Sequence, residues 1–329
     1  MAPLSRRRLG LAAAAALAAR PAAAQPRGGE AAGWPDRPIR ILVPFAPGGG
    51  NDILARVYGQ RIAERLGQSV VVENRPGASG QVGTEAAIRS RADGYTLVVH
   101  PSGPVLANAG QDAPAYDLAR DLAPIAVLGT FPAYVLVAPD SPHRTLADLV
   151  AWERARPGRA TYGTGGVTFQ IWIEALNLRA GTKFEVVFYR GSIDAISAAA
   201  AGDTTFAVAD PGPSLPALQG RRARGLAVTT PRRVAAAPDV PTIAEAGFPG
   251  LEQLSWIGLF APAGTPAPIL QRLEALVADA ARLPEVRERL VPLGMEPEPS
   301  SAAAFRATIV EEAARWREIA AAAGVSLSR

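Results

Sequence analysis

No cysteine occurs in the chain, which excludes structural disulfides, lipid attachment through cysteine and any thiolate site. Histidine is nearly absent: His100 and His143 are the only two, and neither has the H-x-H or H-E-x-x-H spacing of a metal site. Both read as ordinary surface or internally satisfied histidines. Lys183 is the sole lysine and follows Thr182, so there is no G-K-[ST] phosphate loop. No G-x-G-x-x-G follows the first strand, and the G-x-S-x-G elbow of the α/β hydrolases is missing. Nucleotide binding, metal chemistry and serine hydrolysis thereby lose their usual residue patterns.

Long apolar runs are also lacking after the first 24 residues, where no segment reaches the ~20 uninterrupted apolar residues of a membrane helix. Those first 24 residues form the most specific local signal. Arg6, Arg7 and Arg8 precede an apolar run from Leu9 to Ala19, and the small residues Ala22 and Ala24 follow. This is the pattern of a secretory signal peptide cleaved near Ala24/Gln25, and SRRRLGL also fits a twin-arginine export signal. The expected location is the periplasm. The segment carries Arg6, Arg7, Arg8 and Arg20 and no acid, so its loss takes the formal charge from +4 to about zero. Nothing then argues for a nucleic-acid partner, and Arg221, Arg222, Arg224, Arg232 and Arg233 read as a solvated face.

With 48% hydrophobic and 19% charged residues in 329, the chain can bury a sizeable core, as one large domain or two lobes. Residues 25–33 look like a flexible lead-in, with order expected near Trp34. Strands are predicted at 39–43, 69–73 and 95–99, and a helix at Asp52–Leu66. Strands alternating with helices predict a parallel, doubly wound sheet. A further strand at 134–139 opens a second α/β unit, with a helix capped at Ser141 or Thr145. It continues through strands at 185–189, 204–210 and 223–229 and a helix from about Ile193 to Ala201. The run LSWIGLFAP at 254–262 is too apolar for a surface loop and reads as a buried strand returning to the first lobe. The chain is therefore expected to cross between lobes twice, with 34–133 plus 255–329 as lobe one and 134–254 as lobe two. Thr265 is expected to cap a helix with Pro266 at its first position. A last helix near Ala302–Ala323 places Phe305, Ile309, Ala313, Trp316 and Ala320 on one face.

Three glycine-rich turns remain: APGGGND at 46–52, RPGASGQVG at 75–83 and YGTGGV at 162–167, each expected to follow a strand. In open α/β sheets, ligands sit at the carboxyl ends of strands. There glycine lets backbone N–H groups approach a ligand, and a helix start favours an anion. Each N–H bond to a charged group contributes about 1.5–3 kcal/mol, so two or three could supply most of the roughly 8 kcal/mol of a micromolar complex. In a chain without catalytic patterns, three such turns point to recognition.

At this point the residues resemble a known family, the Bug-type extracytoplasmic solute receptors of tripartite tricarboxylate transporters. The likeness spans WPDRPIRILVPFAPGGGNDILAR at 34–56, LGQSVVVENRPGASGQVGTEAA at 66–87, ADGYTLVV at 92–99, YDLARDLAPIAVL at 116–128 and APDVPTIAEAGFPGLE at 237–252. It implies a two-lobed periplasmic-binding-protein fold with two strand crossovers and the ligand cleft at the lobe interface. It also implies a carboxylate ligand, no cofactor, no metal and no catalysis. Carried over by position, the first-loop contacts are Phe45, Pro47, Gly48, Gly49, Gly50, Asn51 and Asp52, with Ser79 and Gly80 in the second turn. Asp52 is expected to order that loop rather than touch an anion, because two negative charges in one cleft repel. Ser102, Thr164, Gly165, Gly166, Thr168 and Asp210 complete the candidate site, and YRG at 189–191 also matches.

Lobe two departs from the pattern, with Phe169 and Trp172 where the family usually shows a Ser and a His. The two aromatics either line a more apolar pocket or pack as core. The resemblance implies a receptor that closes on a small organic acid and delivers it to membrane transporter subunits, and a monomer is expected. A receptor that signals rather than transports, and an exported hydrolase, are the alternatives.

Overall fold

The structure is a computed structural model that describes residues 33–103 and 116–325. The expected signal segment, and the lead-in through residue 32, lie outside the described residues.

Ten strands form two sheets of five. The first holds β1 (Ile39–Val43), β2 (Val70–Asn74), β3 (Thr96–Pro101), β4 (Leu122–Phe131) and β10 (Ser255–Pro262), in the order β2-β1-β3-β10-β4. The second holds β5 (Tyr134–Val137), β6 (Thr161–Thr164), β7 (Glu185–Phe188), β8 (Phe206–Ala209) and β9 (Arg224–Val228), in the order β7-β6-β8-β5-β9. The protein is a two-lobed α/β fold. Central strands read as unbroken apolar runs because both faces are covered. In β5, Val135 and Val137 enter one core cluster while Tyr134 and Leu136 enter the cluster on the opposite face. Among the described residues no helix is long and apolar enough to cross a membrane.

The predicted parallel sheet needs correction, because both sheets are mixed. The pairs β1–β2, β1–β3, β6–β7 and β6–β8 are parallel, but β10 is antiparallel to β3 and β4, and β5 is antiparallel to β8 and β9. The reason is topological. The chain passes from β4 at Phe131 to β5 at Tyr134 and returns from β9 to β10. A strand that arrives from the other lobe starts at the edge where its neighbours end. The strand expected at 254–262 is β10, buried at all eight positions. β4, in contrast, has no counterpart in the sequence reading. Pro124 interrupts its apolar pattern, which is tolerated because β4 lies at the sheet edge.

Two local expectations shift. Thr145, not Ser141, caps Leu146–Ala155, in a capping box with Asp148. Thr265 does not cap the next-to-last long helix: its hydroxyl donates to Pro262 O at 2.8 Å, and Ala267–Ala281 starts after Pro266.

The last helix, Ala302–Ala323, joins the lobes. Phe305 and Ile309 enter the first lobe's core beside Trp256 and Phe260, while Trp316 and Ala320 pack on Ile171 of the second-lobe helix Val167–Ala180.

Candidate functional site

The first glycine turn joins β1 to the helix Gly50–Leu66, and Asp52 holds it in shape. Its buried carboxylate accepts from the Gly48 amide at 3.0 Å, from Arg56 Nε at 3.0 Å and from Asn74 Nδ2 at 3.0 Å. Asn74 Nδ2 also donates to Phe45 O at 3.1 Å. Burial works against ionisation of Asp52, but the bonds from Arg56, Gly48 and Asn74 outweigh it and lower the pKa. Asp52 thus bonds the loop's own backbone, while Pro47, Gly48 and Gly49 stay exposed and Gly50 and Asn51 half-buried.

The second turn packs directly on the first. A Cβ on Gly80, whose φ is +95°, would lie 2.9 Å from Phe45 Cζ, and one on Gly83 would lie 2.8 Å from Pro44 Cα. Ser79 lies in the short 3-10 turn Ala78–Gly80. Beneath this turn Thr84 Oγ1 donates to Gly80 O at 2.8 Å. His100 is fully buried with Nε2 3.3 Å from the Tyr116 hydroxyl, and burial holds its imidazole down at about 4. The other histidine, His143, is also buried, so both are internal.

In the second lobe the third turn is shorter than predicted, because Thr161–Thr164 is itself strand β6 and only Gly165 and Gly166 turn. A Cβ on Gly165 would lie 2.6 Å from Gly191 Cα, so the ends of β6 and β7 meet backbone to backbone. Ser192 Oγ donates to Asp210 Oδ2 at 2.9 Å and ties in the end of β8. Burial raises the Asp210 carboxyl above its ordinary range, opposed by that bond. Thr164 is buried, with its hydroxyl 3.4 Å from the Gly166 amide.

Of the two alternatives left open for Phe169 and Trp172, the structure shows the packing one. Both lie in the second lobe's core cluster, and Trp172 Nε1 donates to Leu251 O at 2.8 Å. Val167–Ala180 packs between its own sheet and the last helix, so its core side covers more than one stripe. Ser102 is likewise buried and accepts the Trp256 amide at 3.4 Å. The basic cluster is only partly solvated: Arg224 donates to Ser141 O and His143 O, and Arg233 pairs with Glu245.

Across the lobes, a Cβ on Gly103, just beyond β3, would strike the Thr168 hydroxyl, and one on Gly294 would strike the Pro211 ring. β3 is the parallel neighbour of β1, which places Gly103 and the first turn along one strand-end edge. The carboxyl ends of the parallel strands therefore face each other between two points of contact. Sequence reasoning marked Gly191 only through the YRG match and missed Gly103, Ser192, Pro211 and Gly294. For Ser192 the signal was the YRGS turn after a strand; the interlobe contacts left no local mark.

The chemistry of this edge follows from its helix starts. Gly50–Leu66, Gln81–Ile88, Val167–Ala180 and Ser192–Ala201 begin at Gly49, Gly80, Gly166 and Gly191, none with a side-chain cap. Pro211–Gln219 begins at Asp210, also without one. The helix that follows antiparallel β5 starts at the far edge and carries the Thr145 cap. The four glycine starts leave amide N–H groups and the positive end of the helix dipole for an anion, whereas at the start after Asp210 the residues Pro211 and Pro213 have no N–H to offer. Among the described residues no group of three His, Asp or Glu side chains could hold a metal ion. The cavities behind the crossings, beside Arg37 and along β9 are not lined by the glycine turns.

Comparison with known proteins places the fold and the family. The chain is 32% identical over 298 residues to protein BugT of Bordetella pertussis, covering 89% of this chain and 91% of that one. It is similar to the structure of R. palustris Rpa4515 with adipate, at 33% identity and a TM-score of 0.79, covering 89% of this chain and 99% of that one. It also resembles MatC from Rhodopseudomonas palustris with bound malate, at 30% identity and a TM-score of 0.75, covering 87% and 99%. The family model described as tripartite tricarboxylate transporter family receptor matches residues 54–325, and the chain belongs to that family of solute-binding receptors.

Proposed function

We propose that this chain is an exported, non-catalytic receptor that holds one carboxylate of a small organic acid on the first-lobe amides between Pro47 and Asp52. The second-lobe helix starts at Gly166, Gly191 and Asp210 then close over the acid's far end. The observation that carries this reading is the set of uncapped helix starts after Gly49, Gly166 and Gly191 on facing strand ends. Adipate and malate in two relatives support a carboxylate of that size. Hinge motion at the two crossings would couple capture to delivery to membrane subunits of the transporter. The buried positions of Phe169 and Trp172 favour a polar far end over an aromatic-lined one.

A thermal-shift screen of the protein from Gln25 onward against mono-, di- and tricarboxylates, aromatic acids and amino acids tests the proposal. An acid that stabilises the protein, and no longer does so in Gly49→Trp, supports it. Stabilisation unaffected by Gly49→Trp would overturn the site.

A further inference from the structure

One polar contact ties the bridging helix to the returning strand. Ser255 opens β10 where the chain re-enters the first sheet, and Trp256 follows it, its ring edge-on to Phe305 with centroids 4.9 Å apart. Trp256 Nε1 donates to Glu312 Oε2 at 2.7 Å. Glu312 sits on the last helix between Ile309, in the first lobe's core, and Trp316, which packs on Ile171 of the second lobe. The pair lines a cavity of about 590 Å³ whose wall includes Thr130 of β4 and Gln253 of the return connection. Residues beside both crossings thus share one cavity with the Glu312 carboxyl.

We infer that Trp256 and Glu312 are a positioning latch that sets the balance between open and closed lobes, so that protonation of a group outside the cleft adjusts ligand affinity. The inference rests on the proposed reading that the lobes close on a ligand. Burial pushes Glu312 up to about 7, against the Trp256 bond and the attraction of Arg315. The other charged groups on the cavity wall are Glu252 and Glu298. On the elements packed beside it, Arg120 pairs with Asp121, Glu174 is bonded by Asn177, and Arg179 ends its helix. β4 and β10 present no charge. Because Gly103 meets Thr168 and Gly294 meets Pro211, the described arrangement has its lobes in contact, and the half-buried Glu312 belongs to that closed form. A carboxyl that regains its ordinary value near 4.5 on opening favours closure when protonated. The preference is complete below 4.5 and is lost as pH rises to about 7.

Ligand-free spin-label distances test the latch without reference to any acid. The chain has no cysteine, so Arg89→Cys on lobe one and Lys183→Cys on lobe two, both highly exposed, give unique labels. The closed-to-open ratio is expected to fall about tenfold from pH 6 to pH 8. Glu312→Gln, neutral throughout, should hold the low-pH distance at every pH. Trp256→Phe, which removes the donor, should move the midpoint upward. A distance that does not respond to pH, or one that responds equally in Glu312→Gln, overturns the latch. Failure of every acid in the thermal screen would instead overturn the carboxylate reading.

Discussion

Asp52→Asn separates a loop-ordering carboxylate from a ligand contact. The amide keeps one acceptor oxygen but turns an NH2 toward either the Gly48 amide and Arg56 or the Asn74 NH2, so a donor faces a donor. One buried donor left unmade costs about 1–3 kcal/mol, and the ion pair with Arg56, half-exposed, adds less than about 1. The expected loss in urea unfolding is therefore about 1–4 kcal/mol. If about 2 kcal/mol of that is loop order that binding must restore, calorimetric affinity for the acid falls roughly 30-fold. Arg56→Ala should change both quantities by less than about 1 kcal/mol. Because the Asp52 pKa is lowered, its stabilisation is fully present above 3.8 and is lost only as pH falls through the folded value. Wild-type stability with binding abolished would show that Asp52 touches the ligand. Tighter binding would show that it repels the ligand. Either result refutes the ordering role.

Further outcomes follow from the same structure. Trp172→Phe leaves Leu251 O without its partner and should cost about 1–3 kcal/mol in urea unfolding while affinity stays unchanged; a large affinity loss would return Trp172 to the pocket. Gly165→Ala drives a methyl into the Gly191 backbone and should destabilise by about 1–3 kcal/mol or more, read as a lower melting temperature, with weaker acid binding. His100, held at about 4 by burial, adds stability that is complete above 6.5 and falls by up to about 3 kcal/mol as pH drops to about 4. His100→Gln should flatten the acid limb of the stability curve across that window, and an unchanged limb would contradict its burial as a neutral ring.

Much of this architecture was legible in residues whose local pattern suffices. The β-branched runs IRILV and SVVVE marked β1 and β2, LSWIGLFAP marked the returning strand, and the glycines after β1 and β6 marked turns that start helices. Strand direction was not legible, because β5 and β10 take theirs from the lobe crossings rather than from their own residues. β4 escaped because Pro124 and Gly129 break its apolar run. Phe169 and Trp172 stayed ambiguous because Val167–Ala180 is covered on more than one side and shows no single apolar stripe. The meetings of Gly103 with Thr168 and Gly294 with Pro211 depend on folding at long range.

The most direct measurement is a crystal structure with the acid that stabilises the protein most. The account predicts carboxylate oxygens within hydrogen-bond distance of amides between Pro47 and Asp52, with the far end of the acid beside Gly166, Gly191 or Asp210. An acid seated instead in the cavity beside Trp256 and Glu312, or in the groove along β9, would contradict it.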